Sequence, residues 1–268
     1  MTRLLSALTL FSALALAPTA EAAGLERLYV FDCGEVAAPD QSRWSPGVNV
    51  GKPIVNSDNC YLIRHERGLL LWDTGYPDAL ADQPNGATGA TGTSKRKSKL
   101  VDDLARIGVK PADIRFVAIS HHHGDHTGNL DKFPAATFLM QAAEHAFAFE
   151  GKPTSFPATQ PITRLNGDHD VFGDGSVTII STPGHTVGHQ SLALKLPKTG
   201  FVLLSGDAVH FKDNWDNRRV PSMNVDKDKT VASMNRLEQL VTQNKGQLWI
   251  NHDKPQSDGM KRAPEFYE

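Results

Sequence analysis

Six consecutive residues, His121-His122-His123-Gly124-Asp125-His126, constrain this chain more than any other stretch, because they place five candidate metal ligands within six positions. In an extended segment alternate side chains project to one side, so His121 and His123 can face one point while His122 faces away. Gly124 is expected to free the backbone to turn, bringing Asp125 and His126 to the same cleft from another angle. Imidazole and carboxylate are ligands that borderline cations such as Zn²⁺ accept, and a catalytic zinc takes about three protein ligands with a position left for water. Histidine-rich runs also occur as solvated loops or terminal tags. This one is internal and follows an apolar, strand-like stretch from Ile114 to Ser120, which favours ligation.

Three more candidates stand where strands should give way to loops. His185 lies in Ser181-Thr182-Pro183-Gly184-His185, after the β-branched run Val177-Thr178-Ile179-Ile180. Asp207 follows Phe201-Val202-Leu203-Leu204 and Ser205-Gly206, and His252 follows Leu248-Trp249-Ile250-Asn251. A lone His or Asp at such a place is usually a turn or capping residue. Several such coincidences instead suggest a site on loops held by a rigid sheet.

With these residues in place, the chain resembles the metallo-β-lactamase superfamily from about Tyr29 to His252, and Leu70-Leu71-Trp72-Asp73-Thr74-Gly75 is similar to the segment preceding the metal loop there. The resemblance implies an α/β fold, a four-layer αββα sandwich. It also implies one metal held by His121, His123 and His185, a second held by Asp125, His126 and His252, and Asp207 bridging the two. Two divalent ions, zinc first among them, would be the cofactors. Asp73 is read either as a plain turn residue or as a support that orients a ligand.

Length and composition agree with one catalytic domain over 23–268, since 268 residues with 40% hydrophobic content can bury a substantial core. A net charge of −2 gives no basic footprint, so nucleic acid is not an expected partner. The basic run Lys95 to Lys99 reads as a solvated helix start. Residues 1–22 read as a secretory signal peptide: Arg3, an apolar stretch from Leu4 to Ala17, and a small-residue cleavage pattern at Ala20-Glu21-Ala22. Periplasmic or secreted localisation follows, with no membrane attachment expected after cleavage. Cys33 and Cys60 lie in strand-like segments that could be neighbours, and an oxidising compartment permits a disulfide. Two buried thiols are the plainer expectation.

Strands are expected at Leu28 to Asp32, Tyr61 to His65 and Leu69 to Trp72. Helices are expected at Leu100 to Ile107, Ala142 to Phe149 and Thr230 to Gln243, the last carrying Val231, Met234, Leu237, Leu240 and Val241 at helical spacing. The segment from Asp78 to Ser94 has no periodicity and reads as a mobile loop, of a kind that often borders the substrate cleft in this superfamily.

Finer resemblance points to the N-acyl homoserine lactone lactonases. It rests on Thr182 to Ser191, Leu203 to Asp207, Phe211 to the helix at Thr230, Phe31-Asp32-Cys33-Gly34, and Cys60 to Gly75. The implied reaction is opening of a lactone ring, in an N-acyl homoserine lactone or a related lactone, by a hydroxide held between the metals. Asp125 would be the proton shuttle. Many members of that family carry Tyr three positions after the bridging Asp; this chain has His210, which can still donate a hydrogen bond and is read either as a second catalytic candidate or as an ordinary surface histidine. Trp44, Phe211 and Trp215 are read as core, with an acyl pocket as the alternative. A metallo-β-lactamase is the first rival, although one class puts Cys where Asp207 stands and another generally lacks a bridging carboxylate. A thioester hydrolase is the second, although only 16 residues follow His252, too few for the C-terminal domain of that group. A periplasmic metal-binding protein is the non-enzyme alternative, and a homodimer is allowed by every one of these readings.

Overall fold

The computed structural model describes residues 24–268; the expected signal peptide lies outside them. Strands β1 (Leu25–Ala38) and β2 (Ile54–His65) pair antiparallel, and β3 (Gly68–Trp72) folds back on β2. A hairpin of β4 (Ala87–Gly89) and β5 (Gly92–Lys95) covers the edge of β1. On the other side β6 (Ile114–Ala118), β7 (Thr137–Gln141) and β8 (Ile162–Leu165) extend the sheet from β3 in parallel. The second sheet runs antiparallel through β9 (His169–Asp170), β10 (Val177–Ser181), β11 (Gln190–Leu196) and β12 (Gly200–Leu204), with β13 (Gln247–Trp249) parallel to β12.

The two sheets pack through alternate residues, as the two-residue period of a strand requires. Leu28, Val30, Ile63 and Leu70 meet Val177, Ile179, Leu192, Leu194 and Val202 in one buried cluster. The intervening residues Phe31, Leu62 and Leu71 face outward onto Leu100 and Leu104 of helix α1 (Leu100–Arg106). On the second sheet Ile180 and Leu203 pack in the same way on Leu237, from a long helix spanning Lys227–Gln243. Helix, sheet, sheet and helix therefore stack as the expected αββα sandwich. The remaining helices are short: α2 (Gly124–Thr127), α3 (Ala142–Ala148), α4 (Lys212–Asn217) and α6 (Lys254–Asp258), with the long helix as α5. No helix of the described residues is long and apolar enough to cross a membrane.

Four expectations are corrected. Cys33 and Cys60 are joined as a disulfide rather than standing as free thiols, with Cα atoms 5.7 Å apart. The β1–β2 register sets Phe31 opposite Cys60, and the irregularity between Asp32 and Gly34 brings Cys33 alongside. The segment from Asp78 to Ser94 is not structureless: a 3₁₀ turn (Asp78–Asp82) leads into the β4–β5 hairpin. Its sequence lacks periodicity because β4 is exposed throughout and has no buried face to encode. The run Lys95 to Lys99 does not start a helix; it spans the end of β5 and the residues before α1. Arg96 is buried there, donating to the Ser98 and Tyr76 carbonyls. Finally, α5 begins three residues earlier than expected, because the Asp226 side chain caps it by accepting the Lys229 N–H.

Candidate metal centre

Five strands deliver the site from their carboxyl ends. Asp73 follows β3, His121 follows β6, His185 follows β10, Asp207 sits in the turn after β12, and His252 follows β13. Loops rigidly anchored by two packed sheets can hold several ligands to one point. The turn at the histidine run is made by α2, with His123 at its N-cap and the His126 N–H donating to the His123 carbonyl at 3.0 Å. Gly124 is not what permits it. Its φ lies outside the left-handed region, and a Cβ there would meet nothing within 4 Å.

All seven predicted ligands come together in two groups that share Asp207. Nε2 of His121, Nδ1 of His123 and Nε2 of His185 lie 2.8, 3.2 and 3.1 Å apart. Asp125, His126 and His252 form the second group. Asp207 divides its carboxylate between them: Oδ2 is 3.3 Å from His185 and 3.7 Å from His121, whereas Oδ1 is 3.3 Å from His126 and 3.0 Å from His252.

The far ring nitrogens decide what faces inward. His126 Nδ1 donates to Asp73 Oδ2 at 2.9 Å, and His252 Nδ1 donates to the Ser57 carbonyl at 2.7 Å. His185 Nδ1 donates to Asn224 Oδ1 at 2.9 Å, an orientation fixed because the Asn224 amide nitrogen donates to Thr230. In each of these rings Nε2 is therefore turned to the centre. The ring nitrogens of the first group stand at nearly the spacing a metal sets, since a tetrahedral ion with bonds of about 2.0–2.1 Å separates its ligand atoms by about 3.3 Å. Nε2 of His126 and Oδ1 of Asp207 are also buried without a hydrogen-bond partner. On both counts the residues fit divalent metal.

The electrostatics of the groups differ. Burial, reinforced by neighbouring imidazoles, outweighs Asp207 and holds His121 and His185 well below the usual histidine range. Burial also works against charge on His126 and His252. There the carboxylates together outweigh it, Asp207 foremost among them, lifting His126 well above its usual range and His252 to about 9. Asp207 is itself held well below the carboxylate range, burial being overcome by the surrounding imidazoles.

His210 is buried rather than superficial. Its Nε2 is 3.1 Å from Asp207 Oδ2, and its ring stacks near that of His252. Asp73, read as turn residue or support, is a support: besides His126 it accepts the Ser120 N–H at 2.6 Å. Above the ligands opens a cavity of about 530 Å³, lined among others by Val36, Trp44, Gly124, His210 and Met223, with Thr91 reaching it from the β4–β5 hairpin. Of the three aromatics, Trp44 lines this cavity, Phe211 supports it from a small cluster behind, and Trp215 packs against Met234 and Leu237 in the core.

Sequence reasoning missed three supports. His189 Nε2 accepts the Asp207 N–H at 2.9 Å, and Gly206 (φ +52°) is required beside it because a Cβ would lie 2.8 Å from that nitrogen. Asn224 fixes His185. Glu144 joins the loops of the first group. His189 and Asn224 lie inside stretches that carry the resemblance, Thr182 to Ser191 and Phe211 to the helix at Thr230, whereas Glu144 carries no local signal.

The sequence model of the metallo-β-lactamase superfamily matches residues 54–242. The N-acyl homoserine lactonase AttM of Azorhizobium caulinodans is 32% identical over 228 residues, covering 78% of this chain and 86% of that protein. An N-acyl homoserine lactonase of Bacillus cereus is 32% identical over 216 residues, covering 77% of this chain and 85% of its own length. A solved N-acyl homoserine lactone hydrolase, with the product N-hexanoyl-L-homoserine at its catalytic metal centre, is 28% identical with a TM-score of 0.79. That match covers 91% of this chain and 99% of the other. Fold, ligand geometry and these matches agree: the chain belongs to the metallo-β-lactamase superfamily.

Proposed function

We propose that this chain hydrolyses the ring ester of N-acyl homoserine lactones, consuming one water and yielding the open-chain acyl homoserine. The observation that carries the reading is Asp207, one carboxylate touching both ligand groups at the floor of a partly apolar cavity. The similarity to N-acyl homoserine lactonases supports the substrate class. Two divalent ions, zinc first among the candidates, would when bound polarise the ester carbonyl and bring a bound water toward ionisation near neutral pH.

The chain's own residues supply the rest. His121, His123 and His185 would hold one ion, Asp125, His126 and His252 the other, and Asp207 would hold both. Asp125, whose side chain is 25% exposed while those of His126 and His252 are buried, would take a proton and pass it to the leaving ring oxygen. His210 lines the cavity and would be a donor toward the substrate carbonyl, and Val36, Trp44 and Met223 would offer an apolar wall to the acyl chain.

A parallel assay of acyl homoserine lactones, simple lactones, β-lactams and thioesters tests the reading. Fastest turnover is expected with acyl homoserine lactones; turnover of β-lactams alone would overturn it. We also propose that residues 1–22 direct export and that 23–268 act as one catalytic domain. The Cys33–Cys60 disulfide supports this, since such bonds persist in oxidising compartments. N-terminal sequencing of the protein from bacterial fractions should find a start near Ala23 outside the cytoplasm, and an intact Met1 in the cytoplasm would contradict it.

A further inference from the structure

Glu144 lies in the first turn of α3, is 1% exposed, and accepts four hydrogen bonds from two loops. Oε1 accepts the His122 backbone N–H at 2.9 Å and the His122 Nδ1–H at 2.5 Å. Oε2 accepts the Thr186 hydroxyl at 2.9 Å and the Gly188 N–H at 2.8 Å. His122 stands between His121 and His123, and Thr186 follows His185. One carboxylate thus ties together the loops that carry the three ligands of the first group.

The join is closely built. A Cβ at Gly188 would lie 2.5 Å from the Glu144 backbone nitrogen and 2.8 Å from its Cβ, so only glycine permits the approach. One turn along α3, Phe147 packs edge-on against the His122 ring with centroids 5.4 Å apart. The second group has separate anchors. Thr74 donates to the His126 carbonyl through both its N–H and its hydroxyl, Asp73 holds the His126 ring, and Ser57 holds His252.

We propose that Glu144, with His122 as its partner, is a positioning residue for the first ion alone, fixing the loop of His121 and His123 against the loop of His185. This rests on the two-ion reading above. It also gives the middle histidine of the run a role that ligation leaves open. A carboxylate that merely stabilised the fold would affect both ions or neither.

The test uses Co²⁺ titration, followed by calorimetry, of chelator-stripped protein with each group isolated in turn. In a His252→Ala background, which keeps the first group, Glu144→Gln should weaken Co²⁺ binding by about 10–100-fold, as loss of an outer hydrogen-bonding partner does. In a His123→Ala background, which keeps the second group, the same change should leave the affinity within about twofold, as expected for uncoupled sites. Equal losses in both backgrounds, or none in the first, would overturn the proposal. Should Glu144→Gln fail to fold, His122→Leu removes one of the four bonds and should show the same one-sided loss, smaller than tenfold. Parent protein taking up fewer than two Co²⁺ would overturn the two-ion reading instead, so the two failures are distinguishable.

Discussion

The two ligand groups beside Asp207 use similar side chains but opposite supports. The first is three imidazoles backed by neutral partners, Ser120 and Asn224, with the charge of Glu144 spent on loop geometry rather than on a ligand ring. The second places His126 between Asp207 and Asp73, with Asp125 nearby, so carboxylates surround its imidazoles. An imidazole kept neutral is ready to ligate, whereas one held protonated by carboxylates must release its proton first. The first position should therefore be governed by geometry and the second by charge.

Four changes test that contrast, beginning with the residue both groups share. Asp207→Ala should lower kcat by on the order of 10³-fold or more, since bound metal supplies several kcal/mol of transition-state stabilisation; steady-state hydrolysis near the parental rate would refute the shared carboxylate. Asp73→Asn should weaken the second ion by about 10–100-fold and spare the first, the mirror image of the Glu144 effect. Competitive chelator titration reads both, and a loss confined to the first ion would reverse the comparison.

Acidity should separate the groups more gently. The folded-state pKa of His252 is raised to about 9, so a metal must displace a proton there at any lower pH. His126 is likewise lifted well above its usual range, so affinity for the second ion should fall by about tenfold or more per pH unit below that value, at least one proton being released per ion. His121 and His185 are held well below their usual range and are already neutral near pH 7, so the first ion should be insensitive there. Calorimetry in buffers of different ionisation enthalpy measures the released protons; equal release from both groups would contradict the account. Gly124→Leu should have the smallest effect on the scaffold, within about 0.5 kcal/mol, because the position is open and its backbone ordinary. Its effect should instead appear as a raised KM, the side chain projecting into the cavity. A lowered melting temperature with unchanged KM would show that Gly124 serves the fold.

Much of this was legible in the residues. The seven candidate ligands could be read as a cluster because each sits past an apolar strand, and strands of a layered sandwich end in register. The supports were less legible. Glu144 meets His122 across 22 residues and Gly188 across 44, and no local pattern encodes a contact made by packing one loop on another. The disulfide likewise depended on a register irregularity at Cys33 that alternation alone does not specify. Gly124 misled in the other direction. A glycine in a tight run suggests backbone freedom, but the turn is an ordinary helical one and the missing side chain opens the cavity.

The most direct test of two ion positions sharing Asp207 is the metal content of gently purified protein, measured by elemental analysis against protein concentration. The account predicts two divalent ions per chain, falling to about one in His123→Ala and in His252→Ala. None or one in the parent protein, or two in either variant, would contradict it.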